Sequence, residues 1–403
     1  MMTRTILCLL VLGLVLSAPR VAPAQGTVEL TYAEISRADH PLVGEAIRTT
    51  YAQKGPPPEA KGIPDGLSDN VYYLALPIGQ DGLKAVVDAG SKPPRLYVDT
   101  DADADLSDET PVALKIARGQ VAYTTLAVRV PGQPEGATIR IGLYGYADLR
   151  TYVYLRIAPG GYVRGTVELD GQKRKVAIVD ANFDGRYDGF ATAETLNDSS
   201  ACDQIAFGVP KKDRGAGQGE ETEIAPVSRV VHVGDAYYAV ESAPDGSRIQ
   251  FAKTEPQFGT LDVQCADLHL LLHSETGTHV LSGGSPWPLP AGTYALADMS
   301  LRRTDADGTQ WVYEGAAWNA GKLAQFEIRA GETTTITAGP PLTLDTSVAW
   351  RGDTAAIGLT VVGRAGEQYV GGVSKNGRTL GAPKLTIVDR SGKELASGAF
   401  EYG

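Results

Sequence analysis

Apolar residues in this chain come in short runs, and turn signals cut almost every one of them. Runs at 71–78, 122–130, 138–144, 152–157, 175–179, 323–328 and 384–388 are rich in β-branched and aromatic residues and have the length of single strands. Hairpin-grade dipeptides punctuate the chain: Gly160-Gly161, Asp170-Gly171, Asp245-Gly246, Asp307-Gly308 and Asn376-Gly377. With 47 glycines and 24 prolines, and few apolar patterns of helical period, the backbone is interrupted too often for long helices. The pattern predicts a mainly β chain of two or three antiparallel β-sandwich or barrel-like domains. One helix is expected, over 42–52, ahead of a proline-rich loop at 55–66.

The first 24 residues stand apart. Arg4 gives a basic start, 6–18 is a run of apolar and small residues, and Ala22-Pro23-Ala24 is a small-x-small cleavage pattern. This reads as a signal peptide over 1–24. The alternative, a membrane anchor, has an apolar run too short to span a bilayer comfortably. No later segment approaches that length, so no membrane span is expected in the mature chain. The chain is therefore read as exported, to the periplasm, the cell surface or the medium. Removing Arg4 and Arg20 leaves 35 Lys and Arg against 48 Asp and Glu, a formal charge of −13. Such an acidic chain is a poor partner for nucleic acid or an anionic membrane surface. Cys8 leaves with the leader. Cys202 and Cys265 then either form a disulfide, as export allows, or stay as two separate thiols. The spacing does not choose between them, and oligomeric state is open.

Composition divides the rest into a β domain over 25–210, a polar, glycine-rich loop or linker over 211–225, a β-sandwich over 226–340 and a C-terminal β segment or small domain over 341–403. The last stretch ends at Phe400-Glu401-Tyr402-Gly403 directly behind a strand-like run. It reads either as a strand that simply ends or as a gene product cut short at a recoded stop. Within the first domain, 83–98 and 167–179 share one pattern of strand, turn and strand, each ending in Val-Asp and an aspartate-rich loop.

Those two loops carry the most readable chemistry. The first is Asp99-Thr100-Asp101-Ala102-Asp103-Ala104-Asp105-Leu106-Ser107-Asp108-Glu109, and the second is Asp180-Ala181-Asn182-Phe183-Asp184-Gly185-Arg186-Tyr187-Asp188. Each places oxygen side chains at positions 1, 3, 5 and near 9, with an apolar residue, Leu106 or Tyr187, at position 8. Calcium takes six to eight oxygens, and crowded carboxylates repel without a cation. The alternative is a pair of solvated acidic turns without metal. The loops resemble the calcium loops of EF-hand, dockerin and thrombospondin-type proteins. That resemblance implies structural Ca2+ held by Asp99, Asp101, Asp103 and Asp105 in the first loop. In the second it implies Asp180, Asn182, Asp184, the Arg186 carbonyl and Asp188. Position 12, ordinarily a bidentate glutamate, is Thr110 or Ala191, leaving Asp108, Glu109 or Glu194 as substitutes. Position 6 is Gly185 in the second loop but Ala104 in the first.

Further along, Leu289-Pro290-Ala291-Gly292-Thr293-Tyr294-Ala295-Leu296 resembles a strand of transthyretin-like, carboxypeptidase-regulatory-type sandwiches. It implies a small sandwich and no activity. The whole resembles secreted bacterial multi-domain β proteins of unknown function that carry calcium loops.

Other features read as structure. Asp267, His269, His273 and His279 fall together, but Leu268, Leu270 and Leu272 alternate with His269 and His273 as on a strand, leucines inward. Asp305-Ala306-Asp307-Gly308 reads as a hairpin turn, and Arg351-Gly352-Asp353 as a turn before a strand. Trp287, Trp311, Trp318 and Trp350, with Tyr294 and Tyr313, are expected in a sandwich core, the alternative being a glycan-stacking surface. No nucleophile elbow, Walker loop or dinucleotide fingerprint is present.

Three functions remain. The first is a calcium-stabilised structural or interaction protein without catalytic activity, with envelope glycans or proteins as partners. The second is a carbohydrate-binding protein of the cell envelope, and the third a calcium-dependent secreted hydrolase.

Overall fold

A computed structural model describes residues 26–35, 46–55, 61–79, 82–118, 120–131, 138–148, 152–196, 198, 201–208 and 223–400. The described residues are almost all strand and turn, with two single-turn 3-10 helices, Ala317–Asn319 and Gly321–Leu323. The chain is mainly β. None of its described helices is long and apolar enough to cross a membrane. Residues 1–24, expected as a leader, the first part of the expected helix and residues 401–403 lie outside the described residues.

The remaining part of that expected helix is a strand. Arg48–Tyr51 pairs antiparallel with Tyr152–Pro159, Thr50 opposite Leu155 and Tyr51 opposite Tyr154. Two threonines and a tyrosine suit a pleated surface, and the cross-strand Tyr51–Tyr154 ring contact outweighs local helical spacing.

Three large apolar cores organise the described residues. In the first sandwich, Val71–Leu76, Leu83–Asp88, Arg95–Val98 and Val112–Ala113 form one sheet. It packs on a second made of Arg48–Tyr51, Tyr152–Pro159, Thr138–Asp148, Gln120–Arg129 and Ile116–Ala117. Leu74, Leu76, Leu83 and Leu96 meet Val128, Ile141, Leu143 and Leu155 between them. Full burial of a side chain of that size stabilises by about 1.5–3 kcal/mol, so this core is the main term holding the two sheets together.

The second sandwich joins two sheets. One runs Thr31–Glu34, Gly161–Leu169, Gln172–Val179, Gln204–Phe207 and Glu223–Pro226. The other runs Gly26–Glu29, Arg248–Thr254, Ala236–Ser242 and Val230–Val233. Val167, Ile178 and Ile205 pack on Tyr238, Ile249 and Phe251. The polar stretch at 211–225 therefore sits between neighbouring strands of one sheet, since Gln204–Phe207 pairs with Glu223–Pro226. The first strand, Gly26–Glu29, likewise pairs with Arg248–Thr254, far beyond that stretch. Residues on both sides share one core.

In the third sandwich, Gly277–Leu281, Leu268–Ser274 and Gly292–Thr304 pack over Trp287–Pro290, Phe258–Val263 and Thr333–Ile336. The last two of these strands pair in parallel. Tyr294 is buried, and its hydroxyl donates to the Pro290 carbonyl at 2.6 Å, which fixes the turn ahead of the strand. The larger sheet continues past residue 340: Gln310–Gly315 pairs with Gln368–Lys375, followed by Thr354–Val362 and Thr343–Arg351. Of the two cysteine alternatives, the structure has two thiols, Cys202 buried and Cys265 half-buried, both free.

Candidate metal centre

Two hairpins of the same build deliver the acidic loops. Leu83–Asp88 and Arg95–Val98 lead into Asp99, while Gly161–Leu169 and Gln172–Val179 lead into Asp180. In each loop the first aspartate accepts two backbone N–H groups across the turn. Asp99 takes those of Asp103 and Ala104, both at 3.1 Å. Asp180 takes those of Asp184 at 3.1 Å and Gly185 at 3.0 Å. The fifth-position carboxylate then accepts from two residues on, Asp103 from Asp105 at 2.7 Å and Asp184 from Arg186 at 2.8 Å. Positive φ falls at the same two places, Ala102 (64°) and Ala104 (68°) against Phe183 (58°) and Gly185 (77°). Only the glycine adopts this freely, and each of the other three gives up about 1 kcal/mol.

In the first loop, one oxygen each from Asp99, Asp101 and Asp103 lies within 4.8 Å of the others. Oxygens around one calcium ion, each about 2.3–2.6 Å from it, reach that separation. Asp105 is engaged elsewhere, its carboxylate accepting from the Ser107 N–H and hydroxyl. Glu109 accepts from the Thr100 N–H and hydroxyl. Asp108, Glu109 and Thr110 line an adjacent cavity of about 440 Å³ with Asp101. Asp99 is the buried member, and desolvation raises its pKa.

The second loop brings Asp180, Asn182 and Asp184 together. Asn182 Oδ1 accepts the Asp184 N–H at 3.1 Å, and its Nδ2 donates to Asp184 Oδ2 at 3.2 Å. Both oxygens of Asp188 are taken by the Arg186 guanidinium, at 2.9 and 2.8 Å. Glu194 is exposed and accepts from the Thr192 hydroxyl, while the twelfth residue, Ala191, is buried.

Asp203, outside the loop, adjoins it, although among the described residues only Asp99, Asp101 and Asp103 bring three acidic oxygens within 4.8 Å of one another. Val179 stands opposite Gln204 in the antiparallel pair, so Asp180 and Asp203 are the next residues of the two neighbouring segments. Asp203 Oδ2 accepts the Gly189 N–H at 2.9 Å, and Oδ1, fully enclosed, has no hydrogen-bond partner. A Cβ on Gly189 would come within 2.9 Å of Asn182 Nδ2 and 3.1 Å of Asp203 Oδ2, so the bare backbone is what lets these side chains close over it. Burial, then the charge of Asp184, pushes the Asp180 carboxyl up. Burial, then Asp180, does the same to Asp203.

The second loop also joins two sandwiches. Phe183, at its fourth position, is buried in the core of the first sandwich, whereas Tyr187, at its eighth, packs on the core of the second. Arg48 of the first sandwich donates to the Ala181 carbonyl at 2.7 Å. A cavity of about 630 Å³ lies along this seam, walled by Ala127 and Ile139 on one side, Leu30 and Val163 on the other, and Asp180 and Gly185 of the loop.

The chain matches no family model, no curated protein and no solved structure.

The remaining sequence features resolve as structure or as surface. Leu268, Leu270 and Leu272 are buried in a strand, as their alternation implies. His273 and His279 are buried, and desolvation lowers both to about 4. Residues 305–308 form a hairpin turn, with the Trp311 indole donating to Asp305 at 2.8 Å. The tryptophans depart from the core expectation. Trp287 and Trp311 are half-buried, but Trp318 is 79% and Trp350 71% exposed. Trp318 sits on a 3-10 turn and Trp350 on the edge strand Thr343–Arg351, neither of which another layer covers.

Proposed function

We propose that this chain is an exported, calcium-stabilised structural or interaction protein without catalytic activity. The observation that supports it best is the placing of the second loop. Asp180, Asn182 and Asp184 are linked there by hydrogen bonds around one turn, and the same turn inserts Phe183 into one sandwich and Tyr187 against the next. Two like charges about 5 Å apart repel by about 3 kcal/mol at an effective dielectric constant of about 20. A divalent ion turns that repulsion into a clamp on both sandwiches. The leader-like start and the free use of turns fit an exported scaffold.

The test is thermal unfolding of the chain in calcium and in chelator. An ion that binds only the folded state raises Tm as its concentration passes Kd. A clear upward shift in millimolar calcium is expected, and superimposable transitions would overturn the reading.

A second reading, binding of envelope glycans, has one observation in its favour: the exposed indoles of Trp318 and Trp350. Sugar rings stack on such faces. Glycan-array binding lost in both W318A and W350A would support it, and silence of the array would remove it. The hydrolase reading fares worse. Two carboxyls must face one opening, and although Asp180 lines the seam cavity, Asp203 has no exposed surface from which to meet a substrate.

A further inference from the structure

We propose that Asp203 is a ligand of the calcium ion in the second loop, taking the place of the acidic residue that such a loop ordinarily carries at its twelfth position. This rests on the calcium reading above and assigns the residue that completes the site. A loop of this kind needs an acidic group late in its sequence to close the ion's far side. None is free to do so from within. Ala191 has no oxygen side chain, Glu194 is exposed and tied to Thr192, and Asp188 is held by Arg186.

Asp203 has what those residues lack. The strands beside it pair Val179 with Gln204, so Asp203 and Asp180 are the next residues of the two neighbouring segments. Its Oδ1 is the one carboxylate oxygen, among the described residues, that is enclosed without a hydrogen-bond partner. No lysine or arginine among the described residues forms an ion pair with Asp203 or Asp180.

Enclosed acids outside the two loops are treated differently. Asp88 has Arg95 at 2.7 Å and the Ser68 hydroxyl. Glu367 accepts the Gly339 and Ala365 N–H groups and the Tyr369 hydroxyl. A buried carboxylate without such partners is unfavourable, and a calcium ion beside Asp180 and Asp184 offsets that penalty. The ion would then bind the loop to the strand Gln204–Phe207 as well as to itself, a cross-link between segments that are distant in sequence.

The experiment is calorimetric calcium titration of the full chain and of its D203N, D184A and D103A variants. D203N is expected to weaken the second-loop site by about tenfold or more, the scale on which metal sites respond to such losses, and to leave the first-loop site unchanged. D184A should remove the second-loop site, and D103A only the first. Wild-type affinities retained in D203N, with D184A defective, would overturn the role of Asp203 and leave the calcium reading standing. Absence of any binding in the wild-type chain would overturn both. If D203N does not fold, anomalous scattering from crystals of the wild-type chain soaked in terbium decides. An ion peak within about 2.3–2.6 Å of an Asp203 oxygen is expected, and a peak ligated by loop residues alone, or no peak at the loop, overturns the assignment.

Discussion

The two acidic loops share one turn and the backbone hydrogen bonds that close it, yet their surroundings differ. The first sits at the rim of one sandwich. Its fourth residue, Ala102, only touches that core, and the position opposite Asp99 is Lys84, whose carbonyl accepts the Asp99 N–H. The second lies at the seam of two sandwiches. Its fourth residue is the buried Phe183, and the segment beside Asp180 carries a further acid, Asp203. One turn can thus be a local decoration or a joint, depending on what fills its fourth position and what stands across the strand. Apart from the buried Asp99, the first loop keeps its charges near water. The second sets the enclosed carboxylates of Asp180 and Asp203 near the half-buried Asp184, and there a cation changes the energy most.

The largest effect expected is at the seam. Phe183→Ala removes a buried aromatic from the first core and should cost about 3–5 kcal/mol in denaturant unfolding, with or without calcium. Ala102→Gly, its counterpart, should change stability by less than about 1 kcal/mol. Equal effects would break the contrast between joint and rim. Next comes the ion itself. Asp184→Ala should abolish most of the calcium-induced rise in Tm, and Asp103→Ala the smaller part, which scanning calorimetry would resolve.

Acidity sharpens the contrast further. Burial raises the carboxyls of Asp180 and Asp203 above their unfolded values. In chelator their contribution is therefore favourable when protonated at low pH, and is lost as pH rises through the folded pKa. Calcium must displace those protons, so its increment to Tm should shrink between about pH 7.5 and about pH 5.5, mainly through the second loop. An increment that grows on acidification would contradict this. The smallest effect concerns backbone strain. Ala104→Gly gives the first loop the residue that the second has at Gly185. It should stabilise by about 0.5–1 kcal/mol, because φ is 68° there.

Much of this was legible in the sequence because it is local. Short β-branched runs between Asp-Gly and Gly-Gly turns are read residue by residue, and so are carboxylates at alternate positions of a loop. What escaped depends on register and layering. Asp203 lies far from Asp180 in sequence, and only the pairing of Val179 with Gln204 brings their segments together. In the described part of the helix expected over 42–52 the reason is the same, since Arg48–Tyr51 takes its conformation from the strand beside it. Trp350 reads as core by its type, but it lies on an edge strand exposed along its whole length. The segment 211–225 has the composition of a linker, yet it connects adjacent strands that share one core.

Hydrogen exchange at the seam tests the central claim most directly. Amide exchange would be followed in the peptides that cover 180–188 and Gln204–Phe207, in calcium and in chelator. The expected result is that calcium slows exchange in both peptides together, because one ion fastens the loop and the neighbouring strand. Identical exchange in the two conditions would mean that no ion holds this joint.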